Sequence, residues 1–131
     1  MAFTAVIVVA AVASGLAGAI ASYINCDSRE DGQIHTMRRV ITPLLPESDR
    51  ASITSEKGCD SFDDAILSWE TSAPVASTWS RLHAAGWTQS TPEQAGAEYV
   101  TDGWTTTVGK QHFTIVYIAE DAIFQADMAA P

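Results

Sequence analysis

Hydrophobic residues along this chain form one unbroken run, followed by a series of shorter periodic segments. The run covers residues 3–24, and Asp27 is the first charged side chain. A helix of about 22 residues at 1.5 Å rise is roughly 33 Å long, which matches the hydrocarbon thickness of a bilayer. The pattern therefore predicts a transmembrane anchor helix in residues 1–25 and one folded domain in residues 26–131.

A cleavable signal peptide is the competing interpretation of the apolar run. Ala19 and Ala21 stand at the small-x-small spacing that signal peptidase accepts. However, the run is longer than the apolar core of a usual signal peptide, and no Lys or Arg precedes it. We expect the helix to be retained, and cleavage after Ala21 stays the alternative.

Small residues recur four apart along the predicted anchor helix. Such rows let a second transmembrane helix approach closely, so they predict a helix-packing interface. Its residues are Ala11, Ser14, Gly15, Gly18 and Ala19. The alternative is an Ala-rich anchor that contacts no other helix.

Two segments beyond the apolar run show helical periodicity. Apolar residues spaced three and four apart predict a helix over residues 29–42, and Pro43 ends it. These apolar residues are Ile34, Met37, Ile41 and Leu44. The second helix is predicted over residues 71–86, with Ser72 as its N-cap and Gly86 at its C-terminus.

Strand-like segments occupy much of the remaining chain. They cover residues 65–70, 97–108, 111–119 and 122–128. The third has apolar residues on both faces and is expected to be central, whereas an irregularity is expected in the second at Asp102-Gly103. The predicted fold class is α+β: an N-terminal transmembrane helix, then two helices packed on one face of a mostly antiparallel sheet of about four strands. The predicted core anchors are Trp69, Trp79, Trp87 and Phe113.

One stretch of the predicted domain resembles a known group of proteins. Residues 66–87 contain Ser68-Trp69-Glu70-Thr71, a Ser-Ala-Pro helix start and the run Leu82-His83-Ala84-Ala85-Gly86-Trp87. The stretch is similar to small secreted or membrane-anchored actinobacterial domains of uncharacterised function. The resemblance implies an accessory subunit of a large membrane complex, such as a respiratory one.

The charge of the chain excludes one class of partner. There are 16 acidic and 7 basic residues, the basic ones scattered, for a net charge of -9. Nucleic acid binding needs a clustered positive surface, so we expect no nucleic acid partner. An acidic surface also repels anionic lipid headgroups, so attachment to the lipid bilayer is expected through the apolar run alone.

The chain has two cysteines, Cys26 and Cys59. If the domain lies outside the cytoplasm, a disulfide is expected, and closing that 34-residue loop contributes about 3.8 kcal/mol on the chain-entropy model. Two unrelated thiols are the alternative. For a single-pass protein of the cell membrane, the cysteines favour an acidic domain on the extracytoplasmic side, whereas the charges of Arg29, Arg38 and Arg39 favour the inner side.

Candidate catalytic and ligand-binding residues are scarce. Asp60, Asp63 and Asp64 lack the spacing of a calcium loop, and none of the three histidines is followed by a Cys, His or Glu three or four residues later. The chain has no Gly-x-Ser-x-Gly elbow and no phosphate loop. We therefore predict no catalytic residue, no metal site, no cofactor and no small-molecule substrate.

Two tryptophans remain as candidates for recognition. Trp87 and Trp104 flank predicted turns, where aromatic side chains either form a recognition surface or complete the core. The leading hypothesis is a non-catalytic accessory or scaffolding subunit that docks on integral membrane protein subunits through its helix and acidic domain. The alternative is a freestanding module, secreted or anchored, that binds a peptide or glycan.

Overall fold

A six-stranded antiparallel sheet with helices on one face organises the chain. The computed structural model describes residues 24–59, 64–90 and 102–129. Helix α1 covers residues 24–41 and continues into a 3-10 turn at Thr42–Leu44. The other helices are α2 (Glu47–Arg50) and α3 (Val75–Ala84). The strands are β1 (Thr54–Glu56), β2 (Ile66–Glu70), β3 (Thr88–Ser90), β4 (Asp102–Val108), β5 (Gln111–Ile118) and β6 (Ile123–Ala129).

The strand order is β1-β2-β6-β5-β4-β3. Strands β4, β5 and β6 form the predicted meander, and Gly109, at φ +63°, makes the turn between the first two because glycine has no Cβ to clash there. Strand β2 then pairs with the free edge of β6. The predicted central position of β5 is confirmed, since it pairs on both sides.

The register places large apolar side chains on one face of the sheet. Trp69 lies opposite Phe124, and Ile115 lies opposite Ala126. These side chains are fully or almost fully buried, and so are Met37 and Ile41 of α1 and Leu82 of α3. Because the two helices bury their apolar stripes against this face, we call it the covered face.

The prediction for the C-terminal end of α3 is confirmed, whereas the prediction for its N-cap is wrong. Gly86 adopts φ +89° after the last turn, and the Trp87 amide donates to the Leu82 carbonyl at 2.9 Å, as in a glycine-capped helix end. The predicted N-cap Ser72 is wrong, because Pro74 occupies that position. Proline lacks an amide hydrogen and its fixed φ suits the entry to a helix, so the helix begins directly after it.

The predicted fold class is wrong in its strand count, since the sheet has six strands rather than about four. The two additional strands, β1 and β3, are edge strands with the polar sequences Thr-Ser-Glu and Thr-Gln-Ser, which show no apolar alternation. The irregularity expected at Asp102-Gly103 is also wrong, since both residues pair regularly with β5.

Within residues 24–59, 64–90 and 102–129, no helix is long and apolar enough to cross a membrane. Helix α1 includes Asp27, Arg29 and Glu30 in its first described turns, so this helix is amphipathic rather than uniformly apolar. Residues 1–23 lie outside the described residues. The predicted anchor, and its packing interface of Ala11, Ser14, Gly15, Gly18 and Ala19, fall there.

Candidate functional site

The predicted disulfide between Cys26 and Cys59 is confirmed. Cys26 lies in the first described turn of α1, and Cys59 lies in the loop after β1. Their Cα atoms are 5.9 Å apart, within the usual range for a disulfide. The bond therefore fastens the helix that covers the sheet to the loop that follows its first edge strand.

Glu30 lies directly beside this disulfide. It is four residues after Cys26, so both side chains project from the same side of α1. The Glu30 side chain is fully buried, and its Oε2 accepts a hydrogen bond from the Gly58 amide at 3.0 Å. Oε2 is also 2.8 Å from the Cys59 Sγ. A disulfide sulfur carries no proton, so this second approach is a contact and not a hydrogen bond.

The other oxygen of Glu30 has no partner. Oε1 is buried and makes no hydrogen bond, and Glu30 forms no ion pair with any described residue. Burying a carboxylate without a cation and with one oxygen unsatisfied costs free energy. While the disulfide is intact, the Glu30 carboxylate therefore has one oxygen without a hydrogen bond and no ion pair with a described residue.

Charged side chains surround the disulfide on its solvent side. Arg29 Nη2 lies 3.7 Å from the Cys26 Sγ. Lys57 Nζ is 2.6 Å from Asp31 and 3.0 Å from Asp27, both on α1. Hydrogen bonds to Asp31 first and Asp27 second raise the pKa of Lys57, which keeps it protonated. These ion pairs give the loop before Cys59 a second attachment to α1.

Three potential metal ligands lie close together: Cys26, Glu30 and Cys59. The two sulfurs and a Glu30 oxygen all lie within 4.8 Å of one another. The prediction of no metal site depended on the spacing of the histidines and aspartates and did not consider Glu30. Glu30 stands one helical turn after Cys26, so its carboxylate shares a face of the helix with the Cys26 sulfur.

The face of the sheet opposite the helices has a different composition, and we call it the open face. Its aliphatic side chains are only half-buried: Ile66, Val116, Ile118 and Ile123. Ile118 pairs with Ile123 across β5 and β6, and Val116 pairs with Gln125 beside them. Farther from the β5–β6 turn, the same face carries the hydroxyl groups of Ser68, Thr105 and Thr114.

Two shallow depressions lie at the β1 end of the open face. The larger, about 430 Å³, includes Ser68, Glu70 and Gln125 in its lining. The smaller, about 230 Å³, includes Ser52, Glu70 and Asp49. The Ser52 hydroxyl connects them: it donates to the Asp49 carbonyl at 2.8 Å and accepts from the Glu70 amide at 3.0 Å. Both depressions are open and present about as much polar as apolar surface, unlike the mostly apolar clefts that enclose small ligands.

Acidic side chains give the open face a negative field. Asp127 on β6 has a pKa above its ordinary value of 3.8, because the surrounding protein desolvates the carboxyl and, secondly, because Asp64 lies nearby. Much of the Asp127 surface is still accessible, so solvent weakens both effects. Neither of these causes involves a cation, and no Lys or Arg stands in the described strands.

The two candidate recognition residues, Trp87 and Trp104, lie on the covered side of the sheet and not on an exposed surface. Trp87 is only 4% exposed and belongs to the core. Trp104 is half-buried and stacks on Trp79 at 6.0 Å between ring centroids, with the His83 ring edge-on to it. Both tryptophans therefore contribute to packing and leave little aromatic surface for a ligand.

The polar residues considered for metal binding stay apart. His35, His83 and His112 lie on α1, α3 and β5, and the His112 Nδ1 hydrogen-bonds the Thr107 hydroxyl at 2.8 Å. Asp60 and Asp63 lie outside the described residues, whereas Asp64 is exposed beside Asp127.

Comparison of the chain with models of protein families, with curated proteins and with solved structures gives no match. The resemblance of residues 66–87 to small actinobacterial domains therefore depends on the sequence pattern alone and stays a prediction. Any assignment of function has to be argued from the geometry of this chain.

Proposed function

We propose that this chain is a non-catalytic accessory subunit that binds a partner protein through the open face of its sheet. The observation that carries the proposal is the half-buried aliphatic patch of Val116, Ile118 and Ile123 on that face, with Ile66 farther along β2. Helices α1 and α3 do not cover this patch, since they bury their apolar stripes on the covered face. Apolar patches rimmed by polar side chains are typical of protein interaction sites.

The composition of the open face suits a protein partner. The aliphatic side chains gain free energy when they are removed from water, and the neighbouring Ser, Thr and Gln side chains can satisfy the hydrogen bonds of a partner. A mixture of apolar and polar side chains is common in interfaces that form and dissociate.

The charge of the open face defines the partner further. Glu56, Glu70 and Asp127 lie at its strand positions, whereas no Lys or Arg does within the described strands. A partner with Lys or Arg opposite Asp127 would compensate the charge that Asp64 and Asp127 leave unpaired. We therefore expect a basic surface on the partner. The resemblance of residues 66–87 suggests that this partner is a subunit of a membrane complex.

Site-specific photo-crosslinking in cells that make the full chain tests this function. A photoreactive amino acid replaces Val116 on the open face or, as the matched control, Arg38 on the exposed side of α1. We expect illumination to give an adduct of one discrete mass from position 116 and none from position 38. Mass spectrometry then identifies the partner and the contacted peptide, which should contain Lys or Arg.

Two further variants separate specific docking from chance collision. Asp127→Asn should reduce the adduct at position 116, whereas Asp121→Asn, in the exposed turn between β5 and β6, should leave it unchanged. Equal adducts from positions 116 and 38 would disprove the proposal. So would a chain that migrates alone, at monomer size, after gentle extraction.

A further inference from the structure

We propose that reduction of the Cys26–Cys59 disulfide converts Cys26, Cys59 and Glu30 into a binding site for one thiophilic divalent cation of the zinc type. This inference goes beyond the proposed docking function and concerns the other side of the molecule. It rests on the position of Glu30 against the disulfide and on the unsatisfied state of its buried carboxylate.

The geometry of the three side chains suits a zinc ion. Zinc binds sulfur at about 2.3 Å and oxygen at about 2.0–2.2 Å in tetrahedral sites, so neighbouring ligand atoms are about 3.5 Å apart. The three candidate atoms already lie within 4.8 Å of one another. Once the sulfur–sulfur bond is broken, small side-chain rotations can bring them to these distances. The Cα separation of 5.9 Å requires no large backbone movement.

The electrostatics of Glu30 point to a cation. Its carboxylate is fully buried, Oε1 lacks a hydrogen bond, and the nearest described cations have other contacts: Lys57 binds Asp27 and Asp31, and Arg29 lies against Cys26. A divalent cation would supply the missing positive charge. The Gly58 amide, which holds Oε2 at 3.0 Å, would orient the carboxylate as outer-shell partners of metal ligands do.

A dithiol can supply the electrons and protons needed to reduce the Cys26–Cys59 disulfide. The dithiol transfers two electrons and two protons to the disulfide and becomes a disulfide itself, which leaves thiols at Cys26 and Cys59. Both thiols lose their protons to solvent when they bind the cation, because the thiolate is the metal ligand. Arg29 favours the thiolate of Cys26 by its positive charge. The fourth coordination position is left for water or an external ligand.

Titration with Co²⁺, a spectroscopic substitute for Zn²⁺, tests the site on the purified full chain. We expect the chain reduced with a phosphine to bind one Co²⁺ per molecule and to develop a thiolate-to-cobalt charge-transfer band. The oxidised chain should show no such band. Glu30→Gln should weaken binding by at least about ten-fold, the loss typical of outer-shell partners alone. Glu47→Gln, the same change at an exposed position of α2, should bind like the wild type.

Two results would overturn the proposal. One is a reduced wild-type chain that develops no charge-transfer band, and the other is a Glu30→Gln chain that binds Co²⁺ as tightly as the wild type. If reduction unfolds the chain, Zn²⁺ should restore the fluorescence of the buried tryptophans in the wild type and not in Cys26→Ala. Failure of Zn²⁺ to restore it would again exclude the site. Neither result affects docking through the open face, which the crosslinking experiment tests separately.

Discussion

The covered and open faces of the sheet consist of the same strands, yet they carry different kinds of side chains. On β6, Phe124 is fully buried among Trp69, Trp79 and Tyr117, with ring centroids 5.0 to 5.5 Å away. Its neighbour Ile123 points to the other face and is half-buried. Because side chains alternate along a strand, one residue step separates the core of the domain from its proposed binding surface. The covered face forms the core, whereas the open face carries the side chains that we propose for binding.

The largest expected effect is on the covered face. Phe124→Ala should lower the free energy of unfolding by about 3–5 kcal/mol, because it removes three aromatic contacts and leaves a cavity. Ile123→Ala, one residue away on the open face, should cost about 1 kcal/mol, since its side chain is only half-buried. Urea denaturation followed by tryptophan fluorescence measures both. Equal losses would mean that the two faces do not differ in packing.

The disulfide should give the second largest effect, because it fastens α1, part of the cover, to the loop after β1. Removing both sulfurs in Cys26→Ala with Cys59→Ala should cost about 2–4 kcal/mol. Cys26→Ala with Cys59→Ser should lose about 1 kcal/mol less, since a serine hydroxyl can donate to Glu30 Oε2. The urea concentrations at the unfolding midpoints of the two variants measure this difference in stability. An alanine pair as stable as the serine pair would show that Glu30 gains nothing from a donor at position 59.

A smaller effect is expected from a polar substitution on the open face. Val116→Thr, which conserves shape, should cost less than about 1 kcal/mol, because Val116 is half-buried and a hydroxyl there can reach solvent. Ile115→Thr, the adjacent change on the covered face, should cost about 2–4 kcal/mol, because Ile115 is fully buried. Thermal unfolding compares the pair. A Val116→Thr variant that is as unstable as Ile115→Thr would mean that the open face belongs to the core.

The sequence predicted those elements whose apolar residues repeat with a clear period. Helix α1, helix α3 and the β4–β5–β6 meander were predicted because one face of each is buried in the core. Strands β1 and β3 were missed because they are short, polar edge strands, held by backbone pairing with β2 and β4. Their side chains carry no hydrophobic signal, so only the tertiary structure determines that they are strands.

Among the candidate sites, the disulfide could be predicted from the sequence, whereas the contacts of Glu30 and of the tryptophans could not. Two cysteines in a predicted extracytoplasmic domain were enough to predict a disulfide. The role of Glu30 depends on the loop at Gly58 and Cys59 folding back onto α1, a contact across about 30 residues that local spacing does not encode. The tryptophans were ambiguous because turn-flanking aromatics serve cores and surfaces alike, and the packing of Trp104 against Trp79 could not be inferred from their separation in sequence.

The smallest expected effect comes from removing the charge of Asp127 on the open face. Unlike the other substitutions, this one should raise the free energy of unfolding. The pKa of Asp127 is raised in the folded state, so folding favours the protonated carboxyl, and stability falls as pH rises through the folded pKa. Asp127→Asn should therefore stabilise the chain at pH 7, by no more than about 0.5 kcal/mol since the group is partly exposed. The gain should disappear below the ordinary pKa of 3.8, where the carboxyl is protonated in both states.

Thermal unfolding at neutral and acidic pH measures this gain. Asp64→Asn should give a smaller gain at neutral pH, because it removes only the second of the two causes, and Asp121→Asn in the exposed turn should give none. A gain that persists at acidic pH would show that repulsion and desolvation of the charge are not its source. If Asp127→Asn stabilises the chain and also weakens crosslinking from position 116, then the charge of Asp127 is unfavourable for folding and favourable for binding. That combination is expected of a residue on a docking surface, and a residue that only supports the fold would not produce it.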